Sequence, residues 1–207
     1  APVLYENPAG GMFPMLPMAN RVAGNRFIFQ GREIVLPRHH ADAHFFLHGD
    51  GWLQRWDIIA RDGDFCVLQL RRQHACGFDY LAQIRYQLLR NQLIASLTLT
   101  HCGSTPIPYG CGFHPFFSFD KRSTVQFTAG GYWPEGEQHL PLDWQSHLPG
   151  YADFSHPQYG EDRWLNVGYS GWSGRARIVS DVMTITILSQ TSWLMLFRMQ
   201  GEPFLCL

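Results

Sequence analysis

The run Leu93-Ile94-Ala95-Ser96-Leu97-Thr98-Leu99-Thr100 constrains this chain more than any other, because Leu93, Ala95, Leu97 and Leu99 alternate with polar Ser96, Thr98 and Thr100. A repeat of two sends side chains to opposite faces of a strand, whereas a helix would scatter the same residues around its circumference. Residues 80–89 precede it, and together the two segments are long enough for a helix. The alternation and the polar break at Arg90-Asn91 predict instead a pair of strands joined by a turn. The same logic predicts a hairpin from 27–29 and 33–36 through Gln30-Gly31-Arg32, and strands at 52–60, 65–71, 124–128, 175–180, 183–188 and 193–199. Strands at this density in 207 residues predict an all-β fold, a large antiparallel sandwich or a barrel.

Residues 130–160 carry Pro134, Pro141, Pro149 and Pro157 among scattered aromatics, so a long structured loop of the kind that borders binding sites is expected there. No internal repeat, low-complexity tract or linker divides the sequence, and a single domain over 1–207 is expected. A net charge of −1 offers no basic field for nucleic acid or an acidic membrane surface, and no stretch reaches the length of a membrane helix. Neither partner is expected. Cys66, Cys76, Cys102, Cys111 and Cys206 are odd in number and form no CxxC pair, which favours reduced thiols and a cytoplasmic setting. Cys102 and Cys111 flank a Pro-rich turn and are the one pair that a disulfide could join.

Four groups could carry chemistry. In Leu47-His48-Gly49-Asp50-Gly51-Trp52, glycines let the backbone approach a ligand and an imidazole can bond a hydroxyl, although a turn with an exposed His explains it as well. In Gly110-Cys111-Gly112-Phe113-His114-Pro115-Phe116-Phe117, one titratable group stands among aromatics. That is a core histidine or a proton donor ringed by sugar-stacking faces. Asn20-Arg21 sets an amide beside a guanidinium, a pair suited to vicinal hydroxyls or simply a solvated turn. Asn166 lies between Trp164 and Trp172, as in a pocket for a small polar ligand or in ordinary aromatic packing. His40, His44 and His48 would share one helical face and could hold a metal. Pro37, Phe45-Phe46, Gly49 and Gly51 argue for loop instead, and no metal is expected. There is no GxSxG elbow, Walker loop, strand-linked GxGxxG or HExxH.

Taken in order, these groups resemble the aldose 1-epimerase (galactose mutarotase-like) family. The resemblance runs through Phe13-Pro14-Met15-Leu16-Pro17-Met18-Ala19-Asn20-Arg21-Val22, then Phe27 to Glu33, then Leu47-His48-Gly49 with Gly51-Trp52. It continues through Pro106 to Phe117 and ends in Tyr169-Ser170-Gly171-Trp172-Ser173-Gly174-Arg175-Ala176-Arg177-Ile178. It implies a galactose mutarotase-like β-sandwich that uses neither metal nor organic cofactor and interconverts the α and β anomers of a free aldose such as a hexose, as a monomer or homodimer. By the same resemblance His114 matches the acid on the ring oxygen, His48 a second histidine near it, and Asn20 and Arg21 the hydroxyl-binding pair. Where many members have an Asp this chain has Asn166, with Asp162 the counterpart under a shifted alignment. The family's general base, a Glu near the C-terminus, is expected just beyond Leu207, because Glu202 precedes Pro203 on what reads as a turn; terminal segments are expected to be missing at both ends. A non-catalytic sugar-binding or sugar-sensing sandwich is the alternative. A hexose-phosphate epimerase, needing a cationic cradle from residues such as Arg32, Arg38, Arg71 and Arg72, is the lesser one.

Overall fold

A computed structural model of the chain describes residues 2–6 and 11–207, in two compact units: Ala1–Phe13 with His114–Leu207, and Pro14–Phe113. The second unit contains the alternating run of residues 93–100. Asp57–Arg61, Phe65–Gln73, Asp79–Leu89 and Gln92–His101 form a four-stranded antiparallel meander. Arg90, at φ 55°, turns the chain so that Leu89 faces Gln92, and the ladder sets Leu97 against Ile84 and Leu99 against Ala82. Ala95, Leu97 and Leu99 are half-buried while Ser96, Thr98 and Thr100 are exposed, so the alternation is realised. Tyr80 and Ala82 turn inward onto Leu16, Ile34, Leu36, Phe46 and Phe78.

The early hairpin forms between Arg26–Phe29 and Arg32–Val35. Gln30 and Gly31 both take left-handed φ (50° and 74°), the two-residue turn whose twist matches that of paired strands. Arg32 therefore begins the second strand rather than closing the turn. The strand expected at 52–60 starts only at Asp57. Gly51–Leu53 is a 3₁₀ turn, held where the indoles of Trp52 and Trp56 donate to the carbonyls of Gly49 and Gly51 at 3.0 and 2.9 Å.

In the first unit, a four-stranded sheet runs in the order Gln158–Tyr159, Thr124–Phe127, Arg175–Val179, Thr184–Leu188. It packs through Val125, Phe127, Ala176 and Ile178 onto Phe117, Val167, Tyr169, Leu194, Leu196 and Leu205. Those partners stand on a six-stranded sheet, ordered Met12–Met15, Gly112–Ser118, Phe204–Cys206, Trp193–Arg198, Leu165–Ser170, Gly131–Trp133. The result is an antiparallel β-sandwich, as expected. Five strands of the larger sheet, Met12–Met15, Gly112–Ser118, Leu165–Ser170, Phe204–Cys206 and Gly131–Trp133, were not anticipated. Consecutive residues such as Leu165, Asn166 and Val167 are all buried, so the sequence there has no alternation to read. The 130–160 region is mainly loop, interrupted by Gly131–Trp133, a 3₁₀ turn at Glu137–His139 and Gln158–Tyr159.

Residues 37–49 hold turns and no helix, so His40, His44 and His48 do not share a helical face. Three polar side chains fix this loop. Buried Asn25 donates to the His44 carbonyl and accepts from Phe46 N–H, Asp42 accepts from the N–H groups of His44 and Phe45, and His39 Nε2 meets the Leu47 carbonyl at 2.9 Å. The loop ends by pressing Gly49, at φ 67°, against the backbone of Leu16. A Cβ at Gly49 would fall on the Leu16 carbonyl. Gly49→Ala is therefore expected to cost on the order of 3 kcal/mol or more in stability, from overlap added to left-handed backbone strain. Urea unfolding of the two proteins checks this, and a difference under about 1 kcal/mol would refute the close approach.

Candidate functional site

The segment just described delivers His48 to Asn20. Both residues have φ 59°, a conformation that Asn accommodates better than most and that His adopts here under the restraint of the fixed loop. They are joined twice: His48 N–H donates to the Asn20 carbonyl at 2.9 Å, and Asn20 N–H donates to His48 Nδ1 at 3.1 Å. A ring nitrogen that accepts a backbone N–H carries no proton, so neutral His48 has its proton on Nε2 and that edge of the ring is a donor. Arg21 follows Asn20 directly, and its charge acts on Asp42. Burial pushes the Asp42 carboxyl up, but the N–H groups of Phe45 and His44 together with Arg21 outweigh it and hold the group below its ordinary range. The second unit thus brings Asn20, Arg21 and His48 together.

His114 belongs to the first unit, on the strand Gly112–Ser118. Its ring is stacked between Phe13 (centroids 4.6 Å apart, planes at 19°) and Phe116 (4.8 Å, 27°), with Phe197 edge-on at 6.4 Å. Phe116 stands on the same face because it lies two residues along the strand. Phe13 and Phe116 are buried and pack on the imidazole itself, so they are not free platforms for a sugar. Burial removes the water that would solvate an imidazolium and pushes His114 down to about 4. At pH 7 it is neutral in all but roughly one molecule in a thousand.

The third arrangement also lies in the first unit, and sequence reading found only half of it. Asn166 is buried on the strand Leu165–Ser170, and its Nδ2 donates to Glu135 Oε1 at 2.6 Å. The Trp164 indole donates to Glu135 Oε2 at 2.6 Å, and His139 Nδ1 lies 2.5 Å from Oε1. His139 is folded back over Glu135 by the turn Glu137–His139, in which Gln138 and His139 both have left-handed φ, and its ring packs on Trp164 at 5.2 Å. Burial pushes the Glu135 carboxyl up, but the donors from Asn166, His139 and Trp164 outweigh it, and the group stays ionised below its ordinary range. Pro134, Glu135, Tyr151, Arg163, Trp164 and Asn166 line an open cleft of about 290 Å³. Glu135 stands in the loop already marked as a border of binding sites. Its local sequence signal, a carboxylate after Trp133-Pro134, is no more than that.

Several other expectations meet the structure here. Trp172 does not flank Asn166 in a pocket; it is buried in the core and donates to the Arg175 carbonyl. Asp162 accepts from Gly201 N–H at 2.6 Å in an exposed turn, whereas Asn166 lines the cleft. Glu202 is exposed on the turn before Pro203, with its N–H bonded to Met199. Arg71 pairs with Asp79, Arg72 with buried Asp50, and Arg32 donates to the Pro106 carbonyl, so these three are committed to structural partners. Cys102 and Cys111 are both exposed and free, and no disulfide joins them. Among the described residues, no group of three or more His, Cys, Asp or Glu is placed to hold a metal ion, and no helix is long and apolar enough to cross a membrane.

The fold and these groups fit one class of protein, and comparison with known families bears it out. The aldose 1-epimerase family matches residues 5–197, and the chain belongs to that family. It is 38% identical to the uncharacterised protein YphB of Escherichia coli K12 over 182 residues, which cover 87% of this chain and 62% of YphB. The chain thus spans less than two thirds of that relative's length. A crystal structure of a candidate aldose 1-epimerase from E. coli K12 superposes with a TM-score of 0.92 at 33% identity, covering 99% of this chain and 76% of the other. A galactose mutarotase-like protein from Lactobacillus casei shares the fold, with a TM-score of 0.74 at 16% identity, covering 94% of this chain and 71% of that one.

The depressed His114 sets a pH dependence whose sign follows from proton binding. Between about pH 6.5 and pH 4 the unfolded chain holds a proton on this ring and the folded chain does not. Stability from His114 is therefore complete above about pH 6.5 and is lost as the pH falls towards 4, to a total on the order of 3 kcal/mol. His114→Phe keeps a stacked ring and removes the titration. Urea unfolding at pH 7 and pH 4.5 should show the original protein losing about 2 kcal/mol more than the variant; equal losses would refute the buried neutral ring.

Proposed function

We propose that the full-length protein is a mutarotase that interconverts the α and β anomers of a free aldose. The observation that carries the reading is the family match over residues 5–197, which takes in every one of the groups described above. In this chemistry a base takes the proton of the anomeric hydroxyl while an acid protonates the ring oxygen. The bond from C1 to the ring oxygen breaks, C1–C2 rotates, and the aldehyde is closed from its other face. His114 is assigned the acid. A ring near 4 is seldom protonated at pH 7 but is a strong donor when it is, and a bound partner that stabilises the imidazolium would load it more often. His48 is assigned a hydrogen-bond donor through Nε2, which its bond from Asn20 N–H supports. Asn20, Arg21 and Asn166 are assigned to sugar hydroxyls. No carboxylate of the chain is assigned the general base.

A second reading, a sugar-binding module without turnover, is favoured by one observation: Asn166 is neutral and its amide is occupied by Glu135. A sugar-phosphate epimerase is the least supported, because Arg32, Arg71 and Arg72 are engaged elsewhere. The free cysteines support a reducing, cytoplasmic setting, and a monomer or homodimer is the proposed state.

Polarimetry separates the first two readings. The full-length protein should accelerate the mutarotation of a freshly dissolved hexose, and His114→Ala should lower that rate by about a hundred- to ten-thousand-fold while sugar binding changes little. Equal rates in the two proteins would sink the assignment of His114. Binding without any acceleration in either would favour the module.

A further inference from the structure

Glu135 is a buried-edge carboxylate with more donors than a surface acid attracts, and its remaining valence points to a use. A carboxylate offers about four acceptor positions. Oε1 takes two donors, Asn166 Nδ2 and His139 Nδ1, while Oε2 takes the indole N–H of Trp164 alone. One acceptor position is left, on Oε2, in a group lining an open cleft. The three donors come from two separate parts of the chain, so the carboxylate is fixed in position rather than swinging in solvent. Beside it the Trp164 ring is 39% exposed, a flat face of the kind on which the C–H side of a pyranose rests. The cleft also carries a cation, Arg163, but its guanidinium is engaged by Glu161 at 3.4 Å and by the Tyr151 carbonyl at 3.3 Å. Glu135 thus supplies the negative charge that faces the cleft, with His139 beside it a counter-charge only while that imidazole is protonated.

The cleft connects to His114 through aromatic contacts within one unit. Trp164 meets Phe197 edge-on at 5.3 Å, and Phe197 in turn meets the His114 ring at 6.4 Å.

We propose that Glu135, held by Asn166, Trp164 and His139, is a specificity-determining residue of a sugar subsite, accepting a hydroxyl of an uncharged aldose and excluding sugars that carry an anionic group. The inference rests on the mutarotase-like reading above and narrows it to neutral substrates. A carboxylate in place of a hydroxyl would confront the fixed charge of Glu135 across a partly desolvated gap, where like charges are costly, and would leave Oε2 without its donor. A neutral amide in place of Glu135 would relax that exclusion and weaken the acceptor.

The test is a binding panel read by calorimetry or saturation-transfer NMR on the full chain: glucose and galactose against glucuronate, galacturonate and glucose 6-phosphate, for the original protein, Glu135→Gln and Glu135→Asp. The original protein should bind a neutral hexose at least about ten-fold more tightly than its uronate. Glu135→Gln should lower neutral-hexose affinity about ten-fold and bring the ratio of the two close to one, while Glu135→Asp, which keeps the charge, should keep the ratio. A structural role alone would lower both affinities together and leave the ratio in place, which would overturn the proposal. So would a uronate that binds the original protein better than its neutral counterpart, an outcome that would make Arg163 the charge that matters; this comparison requires no variant. If neutral sugars bind and Glu135→Gln changes nothing, Glu135 fails and the sugar reading stands. If no sugar in the panel binds, both fail.

Discussion

Burial on both faces of the large sheet is the constraint on which the rest of this structure depends. Leu165, Asn166 and Val167 are consecutive on one strand and all buried, as are Phe204, Leu205 and Cys206 on another. Successive residues of a strand point to opposite sides, so neither side of these strands is left to water. A polar group on such a strand must find a partner, because an unmatched buried amide costs roughly 1–3 kcal/mol. Asn166 finds Glu135. An ionisable group there must give up its charge or acquire a counter-charge, and His114, stacked between Phe13 and Phe116, gives up its charge. Asn166 and His114 are thus two of the polar residues that this largely apolar sheet had to accommodate, with buried Arg198 a third.

The other chemically distinctive place is built the opposite way. Asn20 and His48 lie on irregular backbone, held in left-handed conformations by bonds to one another and by a loop tied at Asn25, His39 and Asp42. Below it, buried Asp50 pairs with Arg72 and has His74 Nε2 3.4 Å away. Desolvation pushes Asp50 up, but His74 and Arg72 outweigh it and keep the group charged. Two candidate residues, His114 and Asn166, are thus oriented by a regular sheet, and Asn20 and His48 by side chains that bond to backbone.

How much of this was legible in the sequence depended on whether a residue's environment leaves a periodic trace. The meander of Phe65 to His101 and the hairpin at Arg26 to Val35 have one wet face, so alternation and turn residues gave their positions to within a residue or two. In the large sheet only Trp193–Arg198, whose buried residues alternate, was read; the other five strands carry no clean alternation and went unread. Local chemistry marked His114, His48, Asn20, Arg21 and Asn166 as candidates with an ordinary structural reading beside each, and only the ordered resemblance to a family attached roles to them. Glu135 stood out through neither. It is joined to Asn166 across 31 positions of sequence, and its environment is created by a turn whose residues Gln138 and His139 are unusual formers of left-handed backbone.

The bond between Asn166 and Glu135 also restricts how this chain can change. An acid at position 166, as resemblance assigns to many family members, would set two carboxylates at hydrogen-bonding distance, and such a pair ionises together only at high cost. One of them would have to retain a proton at neutral pH, or Glu135 would have to be replaced first. The two positions are therefore expected to covary, and the identity of residue 135 decides whether residue 166 can be an amide or an acid.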